Sequence, residues 1–189
     1  MLTPSSHRIR TGGTRIAGVF LSSLLLVGHG AGAECGNPPA IDATLQRLNV
    51  ERAQGVPCHR AGTDGPAGPL RWSTGLAAVA QASAQDMAQR GQLGHRNSAG
   101  DTLHTRLLAN GYRFSMAVEN IGVGFDSADS AIDAWLASGT HCANLMNASV
   151  VEFGLACSDA GPDTQDRYWT LVLGTPPLIE VAAASSRRP

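Results

Sequence analysis

Charged residues are scarce in this chain, and one basic residue type is missing. The 189 residues include 15 acidic and 14 basic side chains but no lysine, so every basic residue is an arginine. Only 15% of the residues are charged, and the formal net charge is −1. This balance gives no reason to expect nucleic acid or an anionic membrane surface as a partner.

The chain also lacks an apolar run long enough to span a bilayer. The run at 16–27 has about a dozen residues, whereas a spanning helix needs roughly 20. It follows a basic segment without acidic residues and precedes Ala31-Gly32-Ala33. These are the parts of a secretory signal peptide, which we predict over residues 1–33. A membrane anchor is the alternative. The n-region contains no Arg-Arg pair, so the twin-arginine route is not supported.

Export sets the expected location of the protein. Cleavage after Ala33 leaves one domain of ordinary size and shifts the formal net charge from −1 to −4, because three arginines are removed. We therefore expect a secreted or periplasmic protein, with no transmembrane segment in its mature part. We also expect a monomer.

Cysteines are few, and none of them has the Cys-x2–4-Cys spacing of a zinc site. The four are Cys35, Cys58, Cys142 and Cys157. An even number in an exported chain indicates two disulfides, with three possible pairings. We predict the local pairs, Cys35–Cys58 and Cys142–Cys157; the second would close a loop of about 16 residues and contribute ~3 kcal/mol. Free buried thiols are the alternative.

The periodicity predicts an α+β fold, because helices precede strands without regular alternation. The predicted helices occupy 37–55, 73–91, 101–110 and 127–139, with a further turn at 141–146. The predicted strands occupy 117–123, 151–157 and 167–173. We expect the domain to extend over residues 34–174 and residues 175–189 to be a disordered tail.

Motifs of several enzyme classes are absent, so the candidate chemistry lies in one polar trio. There is no Gly-x-Ser-x-Gly elbow and no dinucleotide fingerprint. Glu119 lies inside an apolar run, where a carboxylate is costly to bury unless it is paired, coordinated or protonated. We predict that His95 and His141 meet it. Two imidazoles with a carboxylate can hold a divalent metal, or the carboxylate can orient one imidazole as a base.

Nine short segments occur in the same order as in the CAP superfamily, and the chain resembles its bacterial members. This superfamily includes cysteine-rich secretory proteins, antigen 5 and plant pathogenesis-related proteins. The segments are Pro69-Leu70-Arg71-Trp72, Ala84-Gln85-Asp86-Met87, Gly94-His95, Gly111-Tyr112, Glu119-Asn120-Ile121, Trp135-Leu136-Ala137-Ser138, His141-Cys142-Ala143-Asn144-Leu145-Met146, Glu152-Phe153-Gly154 and Tyr168-Trp169. The resemblance extends over about residues 45–174.

The resemblance implies a three-layer α-β-α sandwich with a small central antiparallel sheet. It also implies a cleft carrying two histidines and two glutamates. His95, Glu119 and His141 match three of these positions, whereas Ser138 occupies the fourth. Glu152 is a candidate for the missing carboxylate, or else a solvent-facing strand residue. The resemblance therefore leaves a three-ligand site for zinc or another divalent metal, with water in an open position.

The resemblance favours a non-enzymatic exported binding module for a divalent metal, an apolar ligand such as a lipid or sterol, or another cell-envelope ligand. One alternative is a metal-dependent hydrolase of peptides or cell-wall material that uses the same trio. The other is a structural domain stabilised by disulfides, in which the three polar side chains only form hydrogen bonds with one another.

Overall fold

The computed structural model of the chain describes residues 35, 41–58, 65–161, 164 and 166–178. All of them belong to the compact unit formed by residues 31–189. The predicted signal peptide, 1–33, lies outside the described residues, as does most of the predicted tail, 179–189. The tail was predicted from residue 175, which is the last residue of a strand in the structure.

Within these ranges the chain forms five helices and four strands, in an α+β arrangement. The helices are α1 (Ile41–Gln54), α2 (Thr74–Arg90), α3 (Leu103–Ala109), α4 (Ala128–Leu136) and α5 (Gly139–Leu145). The strands are β1 (Arg71–Trp72), β2 (Met116–Val123), β3 (Glu152–Asp159) and β4 (Arg167–Thr175). Each of the described helices is too short or too polar to traverse a lipid bilayer.

Helix α2 begins and ends where its sequence predicts. The Ser73 side chain accepts a hydrogen bond from the backbone N–H of Leu76, which caps the first turn. Gly91 follows the last turn with φ 61°, a left-handed conformation that glycine adopts without a side-chain clash. Helix α4 begins in the same way, with a capping box between Ser127 and Ser130.

The four strands form one sheet in the order β1-β3-β4-β2. Strand β4 pairs antiparallel with both β3 and β2, as the predicted antiparallel sheet requires. The short β1 adds a parallel pairing with β3 at one edge. Its two residues were not predicted as a strand, because two residues are too few to show an alternating pattern.

Helices cover both faces of this sheet, which makes the domain a three-layer α-β-α sandwich. One face packs against α2 and α3, where Leu76 and Leu107 contact Ala156 and Val172. The opposite face packs against α1, α4 and α5. Successive side chains of β2 point to opposite faces of the sheet, so Glu119 points toward α2 and α3 while Asn120 points toward α5.

The two disulfides join distant parts of the chain, so the predicted local pairing is wrong. Cys35 is bonded to Cys157, and Cys58 to Cys142, with sequence separations of 122 and 84. Cys157 lies on β3 in the main core, against which Cys35 packs. Cys142 lies on α5 in a separate cluster with Cys58 and Met146. Because these loops are long, each bond contributes about 4–5 kcal/mol in the chain-entropy model.

Helix α2 comes unusually close to the sheet at Gly154 of β3. A Cβ atom placed on Gly154 would lie 2.1 Å from the backbone nitrogen of Ala77 and 2.4 Å from the carbonyl carbon of Leu76. A Cβ atom does not approach backbone atoms this closely, so only glycine at position 154 permits α2 to pack at this distance from β3.

We expect Gly154→Ala to lower the free energy of unfolding by about 1–3 kcal/mol, because α2 must move away from β3. Urea unfolding followed by circular dichroism measures the loss. Gly68→Ala is the matched control, since nothing lies within 4 Å of its added Cβ. Equal stability of the two variants would contradict the close approach of α2.

Candidate functional site

Glu119 lies in the middle of β2 and is the most buried member of the candidate site. Only 2% of its side chain is exposed. One carboxylate oxygen accepts a hydrogen bond from the Ser83 hydroxyl of α2 at 3.4 Å. The buried carboxylate therefore faces the layer formed by α2 and α3, where it requires a compensating charge.

Arg106 of α3 supplies that charge, and the sequence analysis missed it. Its Nη2 donates to both oxygens of Glu119, at 3.0 and 3.1 Å, and to the backbone carbonyl of His95 at 3.1 Å. The Arg106 side chain is only 8% exposed. The available signal was the cost of burying Glu119, which calls for a cation, but nothing in the spacing singles out one arginine.

His95 lies in the loop between α2 and α3 and touches Glu119 directly. Its Nδ1 is 2.9 Å from Oε2 of Glu119, and because the carboxylate accepts, Nδ1 is the protonated nitrogen. The hydrogen bond to Glu119 raises the pKa of His95 above its usual value, against the opposing effects of burial and of Arg106. Over half of the imidazole, 59%, is exposed. Its Nε2 has no hydrogen bond to any described residue.

His141 reaches the same region from the opposite layer, because two asparagines fasten α5 to β2. Asn120 donates to the backbone carbonyl of His141 at 3.0 Å, and Asn144 donates to the side-chain oxygen of Asn120 at 2.8 Å. Burial lowers the pKa of His141, and the charge of nearby His95 lowers it further. Helix α5 is therefore fixed beside Glu119 and Asn120 of β2.

Ser138, at the position where the resemblance implies a second glutamate, is bonded to His141. Its hydroxyl lies 3.0 Å from Nδ1 of His141. Ser138 is the N-cap residue of α5, but its side chain makes no capping hydrogen bond. The serine thus orients the second imidazole, much as Glu119 orients the first.

Glu152 does not join this site. In the sheet, Glu152 pairs with Gly174 of β4, whereas Glu119 pairs with Val172 of the same strand. The backbones of the two glutamates are therefore two strands and two residues apart, a separation of roughly 10 Å or more. Its carboxylate accepts hydrogen bonds from Arg71 at 2.7 Å and from the Tyr112 hydroxyl at 2.6 Å. Glu152 is therefore a structural residue at the other end of the sheet.

The residues present do not fit a three-ligand metal site. Both oxygens of Glu119 are held by the Arg106 guanidinium, so a metal would have to displace a buried ion pair. Across the described residues, no group of three or more histidine, cysteine, aspartate or glutamate side chains is placed to hold a metal ion. The ring nitrogens of His95 and His141 that have no hydrogen bond to a described residue are the two Nε2 atoms, because each Nδ1 is already bonded.

The sequence profile of the Cysteine-rich secretory protein family (CAP) matches residues 45–173. This chain therefore belongs to that family. No curated protein sequence matches the chain significantly.

Solved structures of bacterial proteins share the fold at low sequence identity. An extracellular SCP-domain protein from Bacillus anthracis is 22% identical with a TM-score of 0.55, over 71% of this chain and 41% of that one. An outer surface protein from Borrelia burgdorferi is 19% identical with a TM-score of 0.57, over 75% and 99%. A cysteine-rich secretory protein from Staphylococcus aureus is 17% identical with a TM-score of 0.53, over 71% and 37%. The chain thus spans less than half of the Bacillus and Staphylococcus proteins, and these likenesses show the fold alone.

We expect the two imidazoles to titrate on opposite sides of the ordinary histidine pKa of about 6.5, His95 above it and His141 below it. The stability from His95 is present below its unfolded pKa and is lost as pH rises through its raised folded value. The stability from neutral His141 is present above its unfolded pKa and is lost as pH falls through its lowered folded value. NMR titration of the imidazole carbon protons in EDTA measures both pKa values.

Glu119→Gln provides the matched comparison for this titration. Without the carboxylate, the pKa of His95 should fall, because its hydrogen bond to Glu119 is the main cause of the raised value. A pKa of His95 that is unchanged in this variant would contradict the hydrogen bond as the cause.

Proposed function

We propose that this protein is a secreted or periplasmic, non-enzymatic binding module whose two imidazoles, His95 and His141, bind a divalent metal. Membership of the family and the extracellular or outer-surface relatives support export. The observation that carries the non-enzymatic assignment is the ion pair between Glu119 and Arg106.

A metal-dependent hydrolase needs a carboxylate or similar base that can accept a proton from water. Glu119 is 2% exposed and its oxygens face Arg106 and His95. Glu152, the other candidate, is held by Arg71 and Tyr112 away from the imidazoles. Neither carboxylate is therefore free for that role, so the hydrolase is the weaker alternative.

The two histidines suit metal binding better than catalysis. A carboxylate behind an imidazole fixes its tautomer and increases the basicity of its outer nitrogen, which is the usual arrangement around metal-bound histidine. Glu119 stands in this relation to His95, and Ser138 orients His141. With two protein donors, the remaining coordination positions would be left to water or to a partner.

An apolar ligand has less support from the described residues. A cleft of about 350 Å³, here called the α2–α3 cleft, lies between α2, α3 and the loop that joins them. Its wall contains alanines, but also Asp86, Asp101 and Arg106. Three of the nine lining residues carry a formal charge, and covering such charges with a lipid or sterol is costly, so this cleft does not favour such a ligand.

Zinc titration of the tag-free protein by calorimetry tests the metal proposal. We expect one zinc ion per chain, and an affinity at least about tenfold weaker in His95→Ala and in His141→Ala. His104→Ala is the matched control, because His104 is an exposed histidine whose ring makes an edge-to-face contact with Phe114 instead. Glu119→Gln should weaken binding by about 10- to 100-fold without abolishing it. Equal zinc affinity in all five proteins would contradict the metal proposal.

A hydrolase screen tests the non-enzymatic assignment separately. With zinc present, we expect no turnover of peptides or of cell-wall peptidoglycan above the rate of the His95→Ala, His141→Ala double variant. Hydrolysis that the double variant loses would establish the enzyme instead, and zinc binding would then belong to its mechanism. Thermal unfolding of each variant verifies that the fold is retained.

A further inference from the structure

Arg52 of α1 is a buried cation that is not neutralised by a carboxylate. Only 1% of the residue is exposed, and every acceptor that it has within the described ranges is a backbone carbonyl. Burial lowers the pKa of Arg52 below the ordinary value of an arginine. A buried charge is costly unless polar groups surround it, so its compensation depends on the carbonyls that the guanidinium binds.

Four carbonyls surround this guanidinium. Nε donates to Gly68 at 2.8 Å, Nη1 donates to Leu145 at 2.6 Å and to Asn147 at 3.1 Å, and Nη2 donates to Val150 at 3.2 Å. Leu145 is the last residue of α5, and the next two acceptors lie in the segment that joins α5 to β3. Arg52 thus connects the end of α1 with the C-terminal end of α5.

The C-terminal end of a helix is a favourable place for a cation. The last carbonyls have no N–H partner within the helix, and the helix dipole concentrates negative charge there. Helix α5 has only seven residues, and its N-cap residue Ser138 makes no capping hydrogen bond with its side chain. So short a helix is not stable in water by itself. Its position therefore depends on contacts with the rest of the domain.

His141 lies one helical turn before the end that Arg52 holds. Four residues separate it from Leu145, which is about 6 Å along the helix axis. The disulfide at Cys142 and the asparagine contacts with β2 hold α5 from its sides. Arg52 instead binds the carbonyl at the end of the helix. Without that bond, α5 would be free to tilt or slide along β2, and the imidazole would move with it.

We propose that Arg52 is a positioning residue for the second imidazole. Its bonds to the C-terminal end of α5 fix this helix along its axis, and they thereby fix the place at which His141 presents its Nε2. Arg52 acts through α5 and is not itself a ligand. The effect on metal affinity rests on the proposed function, whereas the placement of His141 is measurable without metal.

NMR spectra of the imidazole carbon protons, recorded in EDTA at one fixed pH, test the placement. In Arg52→Met, which removes all four hydrogen bonds, we expect the signals of His141 to shift or split. The signals of His95, on the opposite layer, should stay in place and serve as the internal reference. Arg47→Met is the matched control, because Arg47 lies on the same helix but forms ion pairs with two aspartates of α4. It should leave both histidines unchanged.

Zinc titration by calorimetry tests the consequence for binding. We expect an affinity at least about tenfold weaker in Arg52→Met, and an unchanged affinity in Arg47→Met. Arg52→Lys keeps the charge, but one ammonium group has only three donors and cannot span all four carbonyls. Its affinity should therefore lie between those of the wild type and Arg52→Met. If circular dichroism shows that Arg52→Met does not fold, the spectra and the titration of Arg52→Lys decide the question.

The outcomes separate this proposal from the metal proposal. Unchanged signals of His141 in the folded variant overturn the positioning role, whatever the zinc titration shows. Equal displacement of the signals of His95 and His141 overturns it as well, because the whole domain has then loosened. Equal zinc affinity of Arg52→Met and a zinc-binding wild type also overturns it. A wild type that binds no zinc contradicts the proposed function, whereas displacement confined to His141 still supports the role of Arg52.

Discussion

The ion pair between Arg106 and Glu119 is the constraint on which the candidate site depends. It ties α3 to the middle of an edge strand and compensates a carboxylate that would otherwise be buried alone. Breaking such a buried pair by removing one partner typically costs about 3–5 kcal/mol. The same guanidinium nitrogen also holds the backbone carbonyl of His95. One arginine thus fixes both the acid and the loop that presents the first imidazole.

Helix α2 connects this site with the neighbouring cleft. Its close approach to the sheet over Gly154 brings Ser83 within reach of Glu119. Its outer alanines, one turn apart, leave room beside α3. The small residues of this helix therefore have two roles. Some permit close packing on the sheet, and others leave the α2–α3 cleft open at the surface.

Local sequence patterns predicted much of this fold, whereas the pairings between residues far apart in the sequence were mostly not predicted. Helix α2 could be placed by its apolar spacing and by Gly91, because such signals lie within a few residues of one another. The cost of burying Glu119 directed attention to a partner, and His95 is one. Arg106 was missed because no short-range rule distinguishes one arginine from another. The disulfides were mispaired for a related reason: four cysteines permit three connectivities, and only the packing of distant elements selects among them.

The Cys58–Cys142 disulfide has a consequence for how the two imidazoles come together. Cys142 is the residue immediately after His141, so this covalent bond and the asparagine contacts both anchor the short α5 helix. The second imidazole is consequently held in place by an oxidised crosslink to a segment 84 positions earlier. Placement of His141 beside His95 is thereby coupled to thiol oxidation during folding. In a cytosol kept reduced by glutathione, the chain would lack the Cys58–Cys142 bond that anchors α5.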